Sequence, residues 1–499
     1  MKIVSSLPFG IENINSENIV QNFYDGNFQS SVSKEHLNVI NPSLGEVIAK
    51  VPLSTTTELE SAIKSAKIAF KNWSQTPIKE RAQIFYKYKT LLEKNITELS
   101  NLIQEENGKI FSEAKAEIEK AIELSEFACS IPQLITGEIL EVSKGVECRI
   151  DKFPIGVVAS IVPFNFPSMV PHWTIPNSLV LGNTILVKPS QQVPLSSLRI
   201  AELLKESGLP DGVFNIIHGT EKIVDLICNH SDIDAVTFVG STRVAKIVYQ
   251  KSTQKLKRAL CLGGAKNHLF VMPDANIEMA STNIALSMSG CAGQRCMAAS
   301  AIVAVGQVDK IINQLCEEVK KFIPGKTLGA VISEEAKTRI EKYITEAEKN
   351  GAKILVDGRN VKVNGKENGY FVGPTVIDFV KPEMKIATEE VFGPVIVIIR
   401  AKNIDEGLSI QKKSEYGNAA SVYTQDGAVA NYIMQNASAG MIGVNIGVPV
   451  PREPFSFGGW NSSKFGVGDI TGKSSIEFFT KLKKTTIKWN PIQNSNWMS

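Results

Sequence analysis

A cysteine beside a permanent cation is the feature of this sequence with the clearest chemical use. Cys296 follows Arg295 in the run Gly-Gln-Arg-Cys-Met-Ala that begins at Gly293. A thiolate attacks carbonyl carbons, and an adjacent guanidinium favours the ionised form or holds an anionic substrate. Cys291 lies five residues earlier without a neighbouring charge, which indicates packing or a redox neighbour. Isolated cysteines are more often structural, so Cys296 needs support from other residues.

An amide side chain is available to support such a nucleophile. Asn165 lies in the proline-flanked run Pro-Phe-Asn-Phe-Pro that follows a β-branched segment. Together with the backbone N–H of Cys296, this amide is suited to donate to a developing oxyanion. One such donor is worth about 3–4 kcal/mol in acyl transfer. The alternative is an ordinary loop asparagine that caps a turn.

Three segments indicate a nucleotide cofactor, although the G-x-G-x-x-G fingerprint does not occur in the sequence. Ser241 follows a predicted strand and precedes a predicted helix, a position that suits phosphate binding or simple helix capping. Lys188 ends a buried strand, where its ammonium can bind a ribose hydroxyl or phosphate. Glu390 precedes Phe392 by two residues, an arrangement suited to a ribose diol and a nicotinamide ring.

The elements that must position these residues follow two hydrophobic periods. Three helices are predicted over 57–73, 78–95 and 96–107, where apolar residues recur every three or four positions. From 156 to 239, β-branched runs alternate with helical segments, which predicts a doubly wound parallel sheet. Its crevice, at the carboxyl ends of the strands, is the expected ligand site. A second α/β unit is predicted from 263 to about 445.

The two ends of the chain have different patterns. The first thirty-five residues are polar and rich in Asn and Ser, which predicts a loosely packed arm. A strand, a turn and a strand are expected over 37–49. Apolar and basic residues alternate near the other end, over 475–489, which predicts an edge strand that pairs with another subunit.

Composition excludes several classes of function. The chain has 499 residues, which is enough for two to four domains, and its net charge is only +3. We therefore expect no nucleic-acid partner, and no apolar run is long enough to predict a membrane span. Seven scattered cysteines indicate reduced thiols and a cytoplasmic location. Five histidines without metal-ligand spacing predict no metal site.

Taken together, these motifs resemble the aldehyde dehydrogenase superfamily over nearly the whole chain. The resemblance implies an α/β fold with a Rossmann-type parallel-sheet cofactor domain, an α/β catalytic domain and a small β oligomerisation element. On that basis the NAD-binding domain is expected at 1–130 and 151–262, and the catalytic domain at 263–450. The oligomerisation segment is expected at 131–150 and 474–492, in a homo-oligomer that is a dimer or tetramer. The motifs, in family order, are Asn41-Pro-Ser-Leu-Gly-Glu, Pro163-Phe-Asn-Phe-Pro, Lys188-Pro-Ser, Phe238-Val-Gly-Ser, Leu262-Gly-Gly, Gln294-x-Cys and Glu390-x-Phe-Gly-Pro.

Within the superfamily the chain is most similar to the CoA-acylating methylmalonate-semialdehyde dehydrogenase branch. That resemblance implies NAD-dependent oxidation of a malonate-type or methylmalonate-type semialdehyde through a Cys296 thioester, followed by decarboxylation and acyl transfer to CoA. It implies that Asn165 is the oxyanion donor and that Arg295 is half of a clamp on the substrate carboxylate. The implied cofactor contacts are Val162, Phe164, Lys188, Gln191, Gln192, Ser241, Glu390 and Phe392. The segments that carry this likeness are 264–268, 271–276, 293–298, 367–375, 443–445 and 449–451.

Three positions depart from the patterns of these relatives. Cys261 stands where hydrolytic members have the glutamate that activates water, so transfer to a thiol is expected. Lys120 stands where the branch has its second carboxylate-binding arginine, and lysine lacks the planar two-point fork. Gln191 stands where relatives often have a glutamate that favours NAD over NADP. Two alternatives stay open: a hydrolytic NAD(P)-dependent aldehyde dehydrogenase, and a non-catalytic protein that binds NAD.

Overall fold

The computed structural model describes residues 19–489 of the chain. Strands and helices alternate from residue 157 onward as the hydrophobic pattern predicts, and the predicted helices begin and end within one or two residues of the observed ones. In chain order, the elements up to residue 262 are β1 (Asn22–Tyr24), β2 (Asn27–Gln29), β3 (His36–Asn41), β4 (Glu46–Pro52), α1 (Thr56–Trp73), α2 (Ile78–Lys94), α3 (Ile96–Asn107), α4 (Phe111–Leu134), β5 (Glu138–Ser143), β6 (Val146–Pro154), β7 (Val157–Ile161), α5 (Met169–His172), α6 (Ile175–Val180), β8 (Thr184–Lys188), α7 (Leu195–Glu206), β9 (Phe214–Ile216), α8 (Glu221–Asn229), β10 (Ala235–Val239), α9 (Thr242–Gln254) and β11 (Arg258–Leu262).

The second part of the chain repeats the alternation of strands and helices. A single 3₁₀ turn, Gly290–Gly293, leads into the segment that carries Cys296. The elements after residue 262 are β12 (Asn267–Val271), α10 (Ile277–Ser289), β13 (Ala299–Val305), α11 (Asp309–Val319), α12 (Glu334–Lys349), β14 (Lys353–Val356), β15 (Thr375–Asp378), α13 (Lys385–Thr388), β16 (Val395–Ala401), α14 (Ile404–Lys412), β17 (Tyr416–Gly417), β18 (Ala419–Tyr423), α15 (Gly427–Asn436), β19 (Met441–Val444), β20 (Trp460–Asn461), β21 (Lys464–Phe465), α16 (Gly472–Phe478) and β22 (Thr480–Lys488).

The larger sheet has the order β2-β1-β9-β8-β7-β10-β11-β21. Its five central strands, in the order β9, β8, β7, β10 and β11, are parallel. Strands β7 and β8 are buried at every position because helices cover both faces of the sheet. The strand order reverses between β7 and β10, which opens a crevice at their carboxyl ends. This confirms the predicted parallel-sheet architecture.

The second sheet has the order β14-β15-β16-β13-β12-β18-β19, and all its strand pairs except β14 with β15 are parallel. Strands β12, β15 and β18 are buried at every position. Helices α10 and α11 pack together beside this sheet. The predicted second α/β unit is therefore confirmed.

A third, three-stranded antiparallel sheet has the order β22-β6-β5. The prediction of one strand over 475–489 is wrong in its first part, because α16 occupies the segment up to Phe478. Strand β22 pairs with β6 of the same chain along its whole length, and β5 forms the other edge. Ile139 and Leu140 on β5 are 65% and 67% exposed, so an apolar edge faces outward.

The prediction of a loosely packed arm over the first thirty-five residues is also wrong for its described part. Strands β1 and β2 form a hairpin around Asp25 and Gly26, and β1 extends the larger sheet by pairing with β9. Phe23 is 4% exposed and packs at the edge of the core. Residues 1–18 and 490–492, which belong to the predicted domain ranges, lie outside the described residues.

Within residues 19–489, no helix combines the length and apolarity that crossing a bilayer would require. The same part of the chain shows no group of three or more His, Cys, Asp or Glu side chains arranged to hold a metal ion. Strand β21 joins the larger sheet although it follows the predicted catalytic range. The domain boundaries and the cytoplasmic location stay predictions.

Candidate active site

One cavity of about 1090 Å³ gathers most of the predicted site residues. It opens at the carboxyl ends of β7, β8, β10 and β11, and the second α/β unit supplies its other wall. Gln192, Arg295 and Lys120 lie outside its lining. The predicted residues that line it are Val162, Phe164, Asn165, Lys188, Gln191, Ser241, Cys296, Glu390 and Phe392.

The backbone at Cys296 is held by amide side chains from two strands of the second sheet. Asn267, at the start of β12, donates to the carbonyl oxygens of Cys296 and Ala298 at 2.8 and 2.9 Å. Asn418, just before β18, donates to the same Cys296 oxygen at 2.9 Å. Because this carbonyl accepts two hydrogen bonds, the backbone of Cys296 is fixed where the residue lines the cavity.

The Cys296 thiol is electrostatically restrained from ionising. Burial raises its pKa to about 12, and the Glu390 carboxylate adds to the rise. Backbone N–H groups of Cys296 and Met297 lower the pKa, and Arg295 lowers it further. Arg295 thus acts in the predicted direction, but the loss of hydration outweighs it. In this state of the site, the thiol is protonated near neutral pH.

Arg295 forms an ion pair with Glu113 of α4. Its Nη2 lies 3.6 Å from Glu113 Oε1, and the same oxygen accepts the Cys291 N–H at 2.7 Å. A Cβ atom at Gly290 would lie 2.1 Å from the guanidinium carbon, so only glycine leaves room for this arginine. The Arg295 side chain remains 24% exposed. Its contact with a substrate carboxylate stays a prediction.

Asn165 is fixed at the cavity wall while one of its amide hydrogens stays available. Its Nδ2 donates to the Gln294 carbonyl at 3.0 Å, and Lys109 Nζ donates to the Asn165 backbone oxygen at 2.8 Å. The residue is 6% exposed. An amide carries two N–H groups, so the second can donate to a substrate oxygen near Cys296. This geometry suits the predicted oxyanion donor.

At the far end of the cavity, polar side chains have few partners within the protein. Lys188 is 5% exposed, and its ammonium makes a long 3.4 Å hydrogen bond to Gln191 Oε1. Burial lowers the pKa of this lysine to about 8. Ser241 begins α9, yet its side chain makes no capping hydrogen bond. The structure therefore does not support the alternative interpretation of Ser241 as an ordinary capping serine.

Glu390 stands between the two ends of the cavity. Its Oε1 accepts the Ala265 N–H at 3.0 Å, and a Cβ atom at Gly264 would lie 2.5 Å from its Oε2. Burial raises the pKa of this carboxyl to about 7, against the lowering effects of the Ala265 N–H and the Lys266 ammonium. Phe392 follows with a left-handed φ of 54° and lies edge-on to Phe164 at 5.8 Å between ring centroids.

Cys261 occupies an apolar environment. It is fully buried on β11 in a cluster that contains Ile161 and Phe238. Burial raises the pKa of its thiol. This position therefore brings no carboxylate toward Cys296, in agreement with the substitution seen in the sequence.

Lys120 is paired inside the protein. Its Nζ lies 2.7 Å from Glu453 Oε2 and 3.2 Å from Glu123 Oε2. The Glu453 side chain is only 6% exposed. Because Glu453 lies 333 residues away in the chain, no local pattern predicts this pairing. The predicted contact of Lys120 with a substrate carboxylate stays a prediction.

Several residues that hold the site were not identified from the sequence. Asn107 donates to the Phe164 carbonyl at 2.8 Å, and Lys109 reaches the adjacent Asn165 carbonyl. Both residues flank Gly108, which ends α3 with a φ of 83°. Two polar residues beside a helix-terminating glycine are a pattern in the sequence that could have identified them. Asn267 and Asn418 carry no local signal, because they meet Cys296 only through the second sheet.

Comparison with known proteins adds a family and named relatives. Residues 28–485 match the model of the aldehyde dehydrogenase family. A malonate-semialdehyde dehydrogenase 2 of Geobacillus thermodenitrificans is 43% identical over 481 residues, which cover 94% of this chain and 99% of that protein. A malonate-semialdehyde dehydrogenase 1 of Geobacillus kaustophilus is 40% identical, with 95% and 98% covered.

Solved structures show the same likeness in three dimensions. A Sinorhizobium meliloti protein assigned as a methylmalonate-semialdehyde dehydrogenase and solved with NAD has a TM-score of 0.93 and 39% identity, over 96% of this chain and 99% of that one. A methylmalonate-semialdehyde dehydrogenase of Oceanimonas doudoroffii has a TM-score of 0.93 and 40% identity, over 95% and 98%.

Proposed function

Since the chain belongs to the aldehyde dehydrogenase family, we propose that it oxidises a malonate-type or methylmalonate-type semialdehyde with NAD and transfers the acyl group to CoA. The observation that carries this proposal is the cavity itself. Cys296 and the Asn165 amide line it together, while the position of Cys261 is apolar and buried. The names of the relatives support the substrate class, and the Sinorhizobium structure supports the cofactor.

The residues at the far end of the cavity fit a dinucleotide. Lys188 is a nearly buried ammonium that needs an acceptor, and Ser241 offers a free hydroxyl at a helix N-terminus. Glu390 offers a carboxylate oxygen for ribose hydroxyls, and Phe164 and Phe392 supply aromatic walls. We assign these residues to NAD, with Val162, Gln191 and Gln192 nearby. Bound NAD supplies the acceptor for the hydride that leaves the aldehyde carbon.

The first chemical step follows from Cys296 and Asn165. The Cys296 thiol gives its proton to solvent water, the sulfur bonds to the aldehyde carbon, and the carbonyl electron pair moves to oxygen. The Asn165 N–H and the Cys296 backbone N–H donate to the resulting alkoxide, a contribution of about 3–4 kcal/mol for one such donor. When the alkoxide electrons reform the carbonyl, the C–H bond breaks and a thioester remains on Cys296.

The second half of the reaction releases the acyl group. In a β-carboxylated thioester, the C–C bond to the carboxylate breaks, its electrons move toward the thioester carbonyl, and CO₂ leaves. A proton from solvent restores the acyl chain. The CoA thiolate then attacks the thioester carbon, and the Cys296 sulfur leaves as thiolate. Arg295 and Lys120 are the proposed contacts of the substrate carboxylate.

The test is NADH formation from malonate semialdehyde and methylmalonate semialdehyde, with and without CoA. We expect turnover to depend on CoA and mass spectrometry to find an acyl-CoA product. Cys296→Ala should abolish NADH formation, and the matched Cys291→Ala variant should retain it if only Cys296 carries the acyl group. Equal rates without CoA, with a free acid as product, would reject the acylating function.

A hydrolytic aldehyde dehydrogenase that uses NAD or NADP is the second candidate, because Glu390 shares the cavity with Cys296. A carboxyl whose pKa is raised to about 7 is suited to accept a proton from water. Reaction in ¹⁸O-labelled water separates the two functions. Label in a free acid, lost in Glu390→Gln, would establish hydrolysis, whereas unlabelled acyl-CoA would exclude it.

The three-stranded sheet also supports an assembly proposal. We assign 1–130 and 151–262 to NAD binding, 263–450 to catalysis, and 131–150 with 474–492 to oligomerisation. The outward apolar side chains of β5 support the last assignment. Light scattering of Leu140→Asp against the native protein tests it: loss of a dimer or tetramer is expected, and an unchanged mass would reject it.

A further inference from the structure

An ion pair lies buried beneath the loop that carries Asn165. Lys109 Nζ and Glu117 Oε2 are 2.5 Å apart, and their side chains are 1% and 0% exposed. Replacing such a pair by apolar residues is often neutral or stabilising, because both charges lose their hydration. The pair therefore needs an explanation other than the stability of the fold.

Both partners contact the loop directly. The Lys109 ammonium donates to the Asn165 backbone oxygen at 2.8 Å and lies 4.3 Å from the centroid of the Phe166 ring. The other oxygen of Glu117 accepts the N–H groups of Ser168 and Met169 at 2.7 and 3.0 Å. The cation thus holds the front of the loop and the anion holds its end.

Asn165 consequently has two buried anchors. Lys109 fixes its peptide plane, and the Gln294 carbonyl fixes its side chain through Nδ2 at 3.0 Å. Gln294 is itself held, because its Oε1 accepts the Ile332 N–H at 3.0 Å. With the peptide plane and the side chain both set, the remaining amide N–H has one direction.

We propose that Lys109 and Glu117 are positioning residues that set the Asn165 amide for oxyanion stabilisation. The inference rests on the role proposed for Asn165 above. Neither residue lines the cavity, so both act through the loop. An oxyanion donor works over a narrow range of distance, and a misplacement of about 1 Å costs roughly 100-fold in rate.

The primary test replaces the charges while keeping the shapes, in the double variant Lys109→Met with Glu117→Gln. The glutamine oxygen can still accept from Ser168 and Met169, so the change removes mainly the donor to the Asn165 carbonyl. We expect kcat for NADH formation to fall about 100-fold. The KM of the aldehyde, NAD binding and the rate of Cys296 alkylation should stay near native values.

The matched control neutralises an exposed pair on the same helix. Lys115 and Glu119 are 3.5 Å apart, and their side chains are 50% and 56% exposed. Lys115→Met with Glu119→Gln removes the same charges from α4 without touching the loop. This control should keep the native kcat.

A double-mutant cycle with Asn165→Ala distinguishes positioning from general damage. If the pair acts through Asn165, adding its replacement to Asn165→Ala should slow the enzyme by less than about threefold more. Independent losses that multiply would overturn the proposal. Native kcat in the folded double variant would overturn it as well.

Lys109→Arg covers the case in which the double variant does not fold. It preserves the ion pair with Glu117, but its wider, planar head must displace the Asn165 carbonyl. A lowered kcat with an unchanged KM supports the proposal, and native kcat rejects it. Because the readout is NADH formation, an enzyme that hydrolyses its thioester would refute CoA transfer and leave this test valid.

Discussion

Asn165, Asn267 and Asn418 around Cys296 are hydrogen-bonded within the protein, whereas Lys188 and Ser241 at the cofactor end of the same cavity have few internal partners. Asn165 is anchored by Gln294 and Lys109. By contrast, the Lys188 ammonium makes only a long 3.4 Å hydrogen bond to Gln191, and the Ser241 side chain makes no capping hydrogen bond.

This difference separates two tasks within one cavity. Groups that stabilise charge during a reaction must be fixed beforehand, because reorganising them would raise the barrier. Groups that recognise a ligand form their hydrogen bonds with the ligand itself, so they need few partners within the protein. The contrast therefore predicts that changes at the Cys296 end alter kcat, and that changes at the other end alter cofactor affinity.

The largest effect is expected at Asn165. Asn165→Ala removes one oxyanion donor, so kcat should fall about 10²- to 10³-fold. The dissociation constant of NAD, measured by fluorescence, should change little, because the amide lies at the Cys296 end. Asn229→Ala, at the exposed last residue of α8, is the matched control and should be native in both measurements. A loss confined to NAD affinity would contradict the division of tasks.

The next largest effect concerns the ionisation of Cys296. Burial raises the pKa of this thiol to about 12, so the thiol form dominates near neutral pH. The thiolate fraction should therefore grow about tenfold per pH unit, and alkylation by iodoacetamide should speed up about 100-fold from pH 7 to 9. Cys296→Ala gives the background rate of the other six cysteines. A plateau below pH 9 would show that the thiolate is stabilised in solution.

The sequence predicted which residues line the cavity better than it predicted the contacts that hold them, and parallel topology explains why. Lys188 ends a buried strand, Asn165 and Ser241 follow two others, and parallel strands bring their carboxyl ends to one edge. Local pattern was therefore enough to place these residues in one cavity. The hairpin of β1 and β2 was missed because its strands are three residues long and depend on pairing with distant β9.

The supports of Cys296 were out of reach for a different reason. Asn267 and Asn418 come from separate strands and meet only at the Cys296 carbonyl. Glu453 reaches Lys120 across most of the chain, and Glu113 approaches Arg295 from α4. Such contacts depend on tertiary packing, which the hydrophobic periodicity and the motif spacing of a single sequence do not specify.

Glu390 lies between the Cys296 end and the cofactor end of the cavity. Its replacement should therefore change the reactivity of Cys296 and the rate of aldehyde oxidation in opposite directions. Its carboxylate raises the pKa of Cys296, so Glu390→Gln should speed alkylation by iodoacetamide at pH 8 a few-fold. If the carboxylate also holds the ribose of NAD, the same variant should oxidise aldehyde roughly tenfold more slowly. The control is Glu389→Gln, whose side chain bonds Tyr343 instead. If Glu390→Gln changed the rates of alkylation and of aldehyde oxidation in the same direction, this placement of Glu390 would be contradicted.

The smallest effect is expected at Ser241. A helix-capping serine replaced by alanine typically costs about 1 kcal/mol of stability, but Ser241 makes no side-chain cap, so its loss should cost less than about half of that. Losing one neutral hydrogen bond to a phosphate should instead raise the KM of NAD about two- to tenfold.

Thr55 provides the opposite case, because its side chain accepts the Glu58 N–H in a full capping box at the start of α1. Thr55→Ala should lower the free energy of unfolding by about 1 kcal/mol in urea titrations and leave the KM of NAD unchanged. If both variants lost stability equally and neither changed KM, Ser241 would be a structural cap, and the cofactor end would be internally satisfied like the surroundings of Cys296.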